Sequence, residues 1–268
     1  MFFVLSGFII CWAMPQDYSL KLAGRFIARR ITRIEPPYIV SIVLALAAHF
    51  IFIAHYKPDW LNVLFHLGYI NSFVNSTYLN PVYWTLAIEF QFYLFVAIFF
   101  PLLIKRWSVF CLIFLCIAPV WVRLPGSTLI NVFPIFVIGI IFFLYKRGVW
   151  NISATAIYIL VIVACCVFRL GWLQTSAALL ALLLLALPLK SNRIVSFFSK
   201  ISFSLYLTHD IVGSNLVVYL GTQLPKTFFF KGIEFITGIA VSIIFAYIFC
   251  RLIEEPSLKL SKRIRYNA

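Results

Sequence analysis

Nine times along this chain the residues stay apolar for most of the thickness of a lipid bilayer before a polar or basic stretch interrupts them. The runs lie near 1–14, 37–54, 84–104, 107–122, 129–145, 149–168, 170–189, 201–221 and 228–250. At 1.5 Å of rise per residue, ~20 residues cross the hydrocarbon, so all but the short first run approach spanning length. Lipid offers the backbone no hydrogen bonds, which leaves helices or a closed barrel. Barrel strands alternate apolar and polar residues, whereas these runs are continuous. The fold class is therefore all-α: a polytopic helical integral membrane protein of about nine transmembrane helices. Composition agrees, since 63% hydrophobic and 11% charged residues are more than a soluble chain of 268 residues can accommodate. No repeat or linker interrupts the pattern, so residues 1–268 read as a single transmembrane domain.

The net charge of +14 excludes nucleic acid as a partner, because the cations do not form one patch. They sit in short clusters between the runs, as membrane orientation requires. With alternating sides from a cytoplasmic first loop, the inner segments hold Lys21, Arg25, Arg29, Arg30, Arg33, Lys105, Arg106, Lys146, Arg147, Lys190, Arg193 and Lys200. They also hold Arg251, Lys259, Lys262, Arg263 and Arg265 of the tail. Lys57, Arg123, Arg169, Lys226 and Lys231 remain outside. That division places the C-terminus in the cytoplasm. The outward segment 55–83, rich in aromatics and Asn, is expected to form a partly interfacial helix plus loop, with Trp60, Tyr69 and Tyr78 at headgroup level or covering a cavity. His49, His55 and His66 are explained by interfacial solvation, and the six cysteines by burial as inert thiols. No metal site is expected.

A charge at mid-bilayer costs ~2.5–3.5 kcal/mol, so each ionisable residue inside a run is a candidate site. In "WTLAIEFQFYLFVAIFF", Thr85, Glu89 and Tyr93 recur at i, i+4 and i+8 as one polar stripe. Glu89 is either a structural carboxylate bonded to a neighbouring helix or a catalytic one. In "ISFSLYLTHDIVG", Ser202, Tyr206, His209 and Gly213 share a face, with His209 about 12 Å into the run. Its imidazole is either a satisfied structural group or a base, proton relay or substrate orienter. The cytoplasmic stretch "GRFIARRITRIEPPY" precedes Pro36-Pro37, where the next helix is expected to restart. Its arginines are topology determinants, contacts for anionic lipid, or a phosphate site suited to planar guanidinium forks, with Arg30 and Arg33 pointing the same way.

These motifs, "FFVLSGFII", "RRITRIEPPY", "WTLAIEFQFYL" and "ISFSLYLTHD" in that order with Glu255-Pro256 before a basic tail, resemble the acyltransferase 3 family of membrane O-acyltransferases. The resemblance implies a ten-helix bundle in the bacterial inner membrane that moves an acyl group, commonly acetyl, from cytoplasmic acyl-CoA to a hydroxyl of a carbohydrate or small molecule. It implies acyl-CoA (acetyl-CoA) as a co-substrate, no tightly bound cofactor, Arg30 and Arg33 as donor-binding residues, and Glu89 and His209 as catalytic ones. Where many members carry Glu-Glu after the tryptophan-led motif, this sequence has Glu89-Phe90, which argues against paired-carboxylate chemistry there. Members begin with a further helix bearing an arginine and, about three turns on, a histidine thought to be the catalytic base; the resemblance gives that base no counterpart in this sequence, and His209 is not its equivalent. The expectation is thus a sequence truncated at its N-terminus relative to the family, by a start placed inside a longer reading frame or as an inactive remnant. The rival functions are a proton-coupled membrane transporter, since buried Glu and His with a basic inner mouth suit both, and a non-catalytic membrane scaffold.

Overall fold

A computed structural model describes residues 1–53, 55–105, 107–121, 128–188 and 190–266, with the side chains of 118–121 left aside. Arg106 and Arg123, both used in the orientation argument, lie outside the described residues. Every regular element described is helical, as expected of an all-α membrane protein. Among the described residues, five helical stretches are long and apolar enough to cross a membrane: Leu20–Phe52, Tyr83–Leu103, Leu129–Lys146, Ile152–Leu170 and Phe228–Arg263. Phe2–Trp12, Ser108–Ile117 and Trp172–Ala186 are shorter apolar helices, and the eighth run, 201–221, falls in an interrupted helix, Arg193–Gln223.

The chain divides into two compact units, described one at a time. The first comprises Met1–Ile27 and Ala87–Lys190. It holds α1 (Phe2–Trp12), most of α4 (Tyr83–Leu103), α5 (Ser108–Trp121), α6 (Leu129–Lys146), α7 (Ile152–Leu170) and α8 (Trp172–Ala186). Helix α6 is buried along one unbroken stretch, Phe133–Leu144. A helix apolar all round belongs in the middle of a bundle, which is where α6 sits. Its closest neighbour is α1, and glycines explain why. A Cβ on Gly7 would lie 2.2 Å from the Phe136 carbonyl oxygen, and one on Gly139 would lie 2.1 Å from that of Val4. The two backbones touch directly, leaving Phe3 to stack on Phe136 at 4.8 Å.

The second unit comprises 28–86 and 191–267. It holds most of α2 (Ala23–Phe52), α3 (Trp60–Leu67), α9 (Arg193–His209), α10 (Asn215–Gln223), α11 (Phe228–Phe249) and α12 (Glu255–Arg263). Two expectations are corrected here. Helix α2 does not restart at Pro36-Pro37 but runs through both prolines for 30 residues. The prolines strip the carbonyls of Thr32 and Arg33 of their helical partners. That loss is cheap where Arg33 is exposed and water can replace the missing N–H groups. Helix α9 begins at Arg193, where Asn192 Oδ1 accepts from Val195 N at 2.8 Å, so His209 lies ~24 Å from its start rather than 12 Å. The apolar run marked the membrane, whereas the cap marked the helix.

Segment 55–83, expected from the sequence to face outward, holds a third correction. His66 is not solvated but wholly buried. Leu79 N donates to its Nε2 at 3.0 Å, so Nδ1 carries the proton and donates to Asn62 O at 2.7 Å. Burial pulls this imidazole below its ordinary value, a tendency that the Asn62 carbonyl partly offsets. The Tyr38 hydroxyl reaches the His66 carbonyl at 3.3 Å, and its ring stacks on Tyr69 at 5.1 Å. Tyr38 lies fourteen residues, ~21 Å, below the Phe52 end of α2, so the connection turns back down that helix. Its polarity is inverted: Asn62, His66, Asn71 and Ser72 are buried while Trp60, Leu61 and Leu64 are exposed. Irregular backbone at such depth needs internal partners, and these buried amides and the imidazole supply them.

Candidate active site

In the first unit the site residue is Glu89, on α4 and 8% exposed. Ser6 Oγ donates to Glu89 Oε1 at 3.1 Å across 83 positions of sequence. The "SG" of the opening motif thus has two tasks. Gly7 lets α1 press against α6, and Ser6, carried by that contact, reaches the carboxylate. Two residues on, Gln91 Oε1 accepts from Leu129 N at 2.8 Å, satisfying one of the open N–H groups at the start of α6. The polar stripe expected on α4 is present but serves different neighbours. Thr85 belongs to the second unit and meets Tyr206; Glu89 meets Ser6; Tyr93 is buried with its ring edge-on to Phe26.

In the second unit His209 closes α9 and is exposed. Its Nδ1 lies 2.9 Å from Leu205 O and 3.0 Å from Tyr206 O. Carbonyls only accept, so Nδ1 must bear the proton, and the neutral ring presents an unprotonated Nε2. His209 lines a cavity of about 950 Å³ between α9 and α11, walled largely by Leu205, Val217, Phe235 and Ile239. The face read from the sequence holds: Ser202, Tyr206, His209 and Gly213 all line this space. The α-helix gives way to a π-turn at Asp210–Ser214, immediately after the histidine. Such turns recur at functional positions because they re-aim the residues on either side. Gly213 is required here, since a Cβ would lie 2.1 Å from Ser242 Oγ on α11.

The imidazole is positioned by the start of α4. The Tyr206 hydroxyl donates to Val82 O at 2.8 Å and shares a hydrogen bond with Thr85 Oγ1, while Asn80 Nδ2 donates to Leu207 O at 3.2 Å. Ile211, just beyond, packs on Ala45 and Ala48 of α2. Arg30 and Arg33 lie on that same helix, twelve residues or ~18 Å of axis separating Arg33 from Ala45. Arg30 is half-buried and Arg33 exposed. The arrangement therefore puts guanidinium groups at one end of α2 and an imidazole with a free lone pair farther along it.

Two buried carboxylates escaped the sequence reading, Glu234 on α11 and Glu254 just beyond its end. Glu254, 8% exposed, accepts from Ser204 N at 3.2 Å and from Ser204 Oγ at 2.5 Å. The signal was there: Gly238, Ser242, Ala246, Cys250 and Glu254 recur every four residues and all are buried. A spacing of four drifts around a 3.6-residue helix. The π-turn Cys250–Glu254 compensates for that drift and opens the backbone ahead of Pro256. Among the described residues no group of three or more His, Cys, Asp or Glu is arranged to hold a metal.

A family model described as an acyltransferase domain, that of acyltransferase 3, matches residues 1–254. No curated protein and no solved structure shows a match. The match takes in the glycine-packed α1, the arginine helix, Glu89, His209 and Glu254, and the chain belongs to the acyltransferase 3 family of integral membrane proteins.

Proposed function

We propose that this protein transfers an acyl group, acetyl by preference, from cytoplasmic acyl-CoA to a hydroxyl of a carbohydrate such as a cell-surface or lipid-linked glycan. The observation that carries the reading is His209, which lines a cavity while its Nδ1 is held by two backbone carbonyls. In the proposed step Nε2 takes the proton of the acceptor hydroxyl as the oxygen attacks the thioester carbonyl carbon. The tetrahedral intermediate collapses with loss of the C–S bond, and the departing thiolate recovers the proton from the imidazolium. Arg30 and Arg33 hold the donor's phosphates. The ~18 Å of α2 between Arg33 and Ala45, against which Ile211 packs, is a length suited to an extended pantetheine arm. Glu89, in the first unit, is assigned an orienting part of its own through the carboxylate that accepts from Ser6.

The test is transfer of labelled acetyl from acetyl-CoA in membranes containing the protein. Label should appear covalently on glycan and be abolished by His209→Gln. Arg30→Ala with Arg33→Ala should raise the KM for donor at least tenfold. Redistribution of unmodified glycan without covalent label would instead identify a transporter.

A further inference from the structure

The basic tail is not absorbed by the chemistry above. Helix α11 continues through its π-turn into α12, a stretch of 36 residues, Phe228–Arg263. That is ~54 Å long against ~30 Å of hydrocarbon, so its last turns stand beyond the membrane. Helix α12 is nevertheless docked, because Ser257 and Ser261 are 5% and 1% exposed. The nearest acid is already engaged: Glu255 pairs with Lys200 at 2.6 Å and with Arg251 at 3.1 Å. Among the described residues, no carboxylate pairs with Lys259, Lys262, Arg263 or Arg265. The chain then brings Tyr266 to the arginine helix, where the Arg29 guanidinium lies 5.3 Å above its ring. Arg29 and Arg33 stand at i and i+4 on one face of α2, with Arg30 beside them. Tyr266 therefore reaches the end of α2 that carries the proposed donor site, with the exposed Arg265 next to it in the chain.

We propose that Arg265 and Tyr266 form one wall of the donor's nucleotide site. The Tyr266–Arg29 pair offers a flat face on which an adenine stacks, and Arg265 joins Arg33 on the phosphates. This rests on the acyl-CoA reading. The aromatic ring decides for a nucleotide over an anionic lipid headgroup, since lipid phosphate needs cations only and has no planar group to stack.

Binding is measured with the protein in nanodiscs of neutral phosphatidylcholine, with coenzyme A and with its nucleotide half, adenosine 3′,5′-bisphosphate, as probes. Tyr266→Ala should weaken both probes about tenfold, Tyr266→Phe should retain both, and Arg265→Ala should weaken both by a similar factor. Unchanged affinities in Tyr266→Ala and Arg265→Ala overturn the assignment. If these variants instead alter only retention by phosphatidylglycerol vesicles, the tail is a lipid contact and the proposal falls. If the unaltered protein binds neither probe, the donor reading itself fails first. Size-exclusion profiles of the variants separate lost binding from lost folding.

Discussion

Gly7→Ala tests the physical basis of the opening motif. The added Cβ would start 2.2 Å from the Phe136 carbonyl oxygen, where ordinary contact begins at 3.4 Å. That oxygen is backbone in the middle of a buried helix and has no rotamer to change, so α1 itself must retreat by about 1.2 Å. Overpacking of this kind costs ~1–3 kcal/mol. The neighbouring Ser6–Glu89 hydrogen bond is 3.1 Å long and does not survive such a displacement, which adds ~1–2 kcal/mol for a buried carboxylate left short of a donor. The expected total is about 3 kcal/mol, read from reversible unfolding in mixed micelles. Ser6→Ala should show only the smaller hydrogen-bond share. Gly232→Ala is the control: nothing lies within 4 Å of its Cβ position in α11, so better helix propensity makes it neutral or stabilising by up to about 1 kcal/mol. A Gly7→Ala protein within about 0.5 kcal/mol of the parent would refute the backbone-to-backbone packing.

Three further outcomes are expected. Glu254→Ala should cost ~2 kcal/mol in the same unfolding measurement, and Glu254→Gln about half that, because the amide oxygen still accepts from Ser204. His66, held below the ordinary histidine value by burial, binds fewer protons folded than unfolded. Its contribution is complete above about pH 6.5 and lost as pH falls, so amide protection factors in residues 55–82, taken relative to intrinsic exchange at each pH, should fall between pH 7 and 5 in the parent and not in His66→Gln. Tyr206→Phe removes the donor to Val82 O and should lower kcat several-fold with donor KM unchanged, whereas a fall in donor affinity would place Tyr206 elsewhere in the reaction.

Some of this protein is local in origin and therefore legible in its letters. Hydropathy is a property of each segment, so the helical membrane fold and five of the nine expected spans follow from runs of apolar residues, and the shared face of Ser202, Tyr206, His209 and Gly213 follows from the helical period. Tertiary structure alone decided the partners. Ser6 finds Glu89 across 83 positions because two glycines let α1 and α6 touch. His66 is buried rather than solvated because the chain after α2 turns back along it, and Arg29 meets Tyr266 because two long helices end at the same level. Such pairings depend on close approach between segments distant in sequence, which no local period encodes. The same reason hid Glu254, whose burial needs a π-turn and the facing backbone of α9 together.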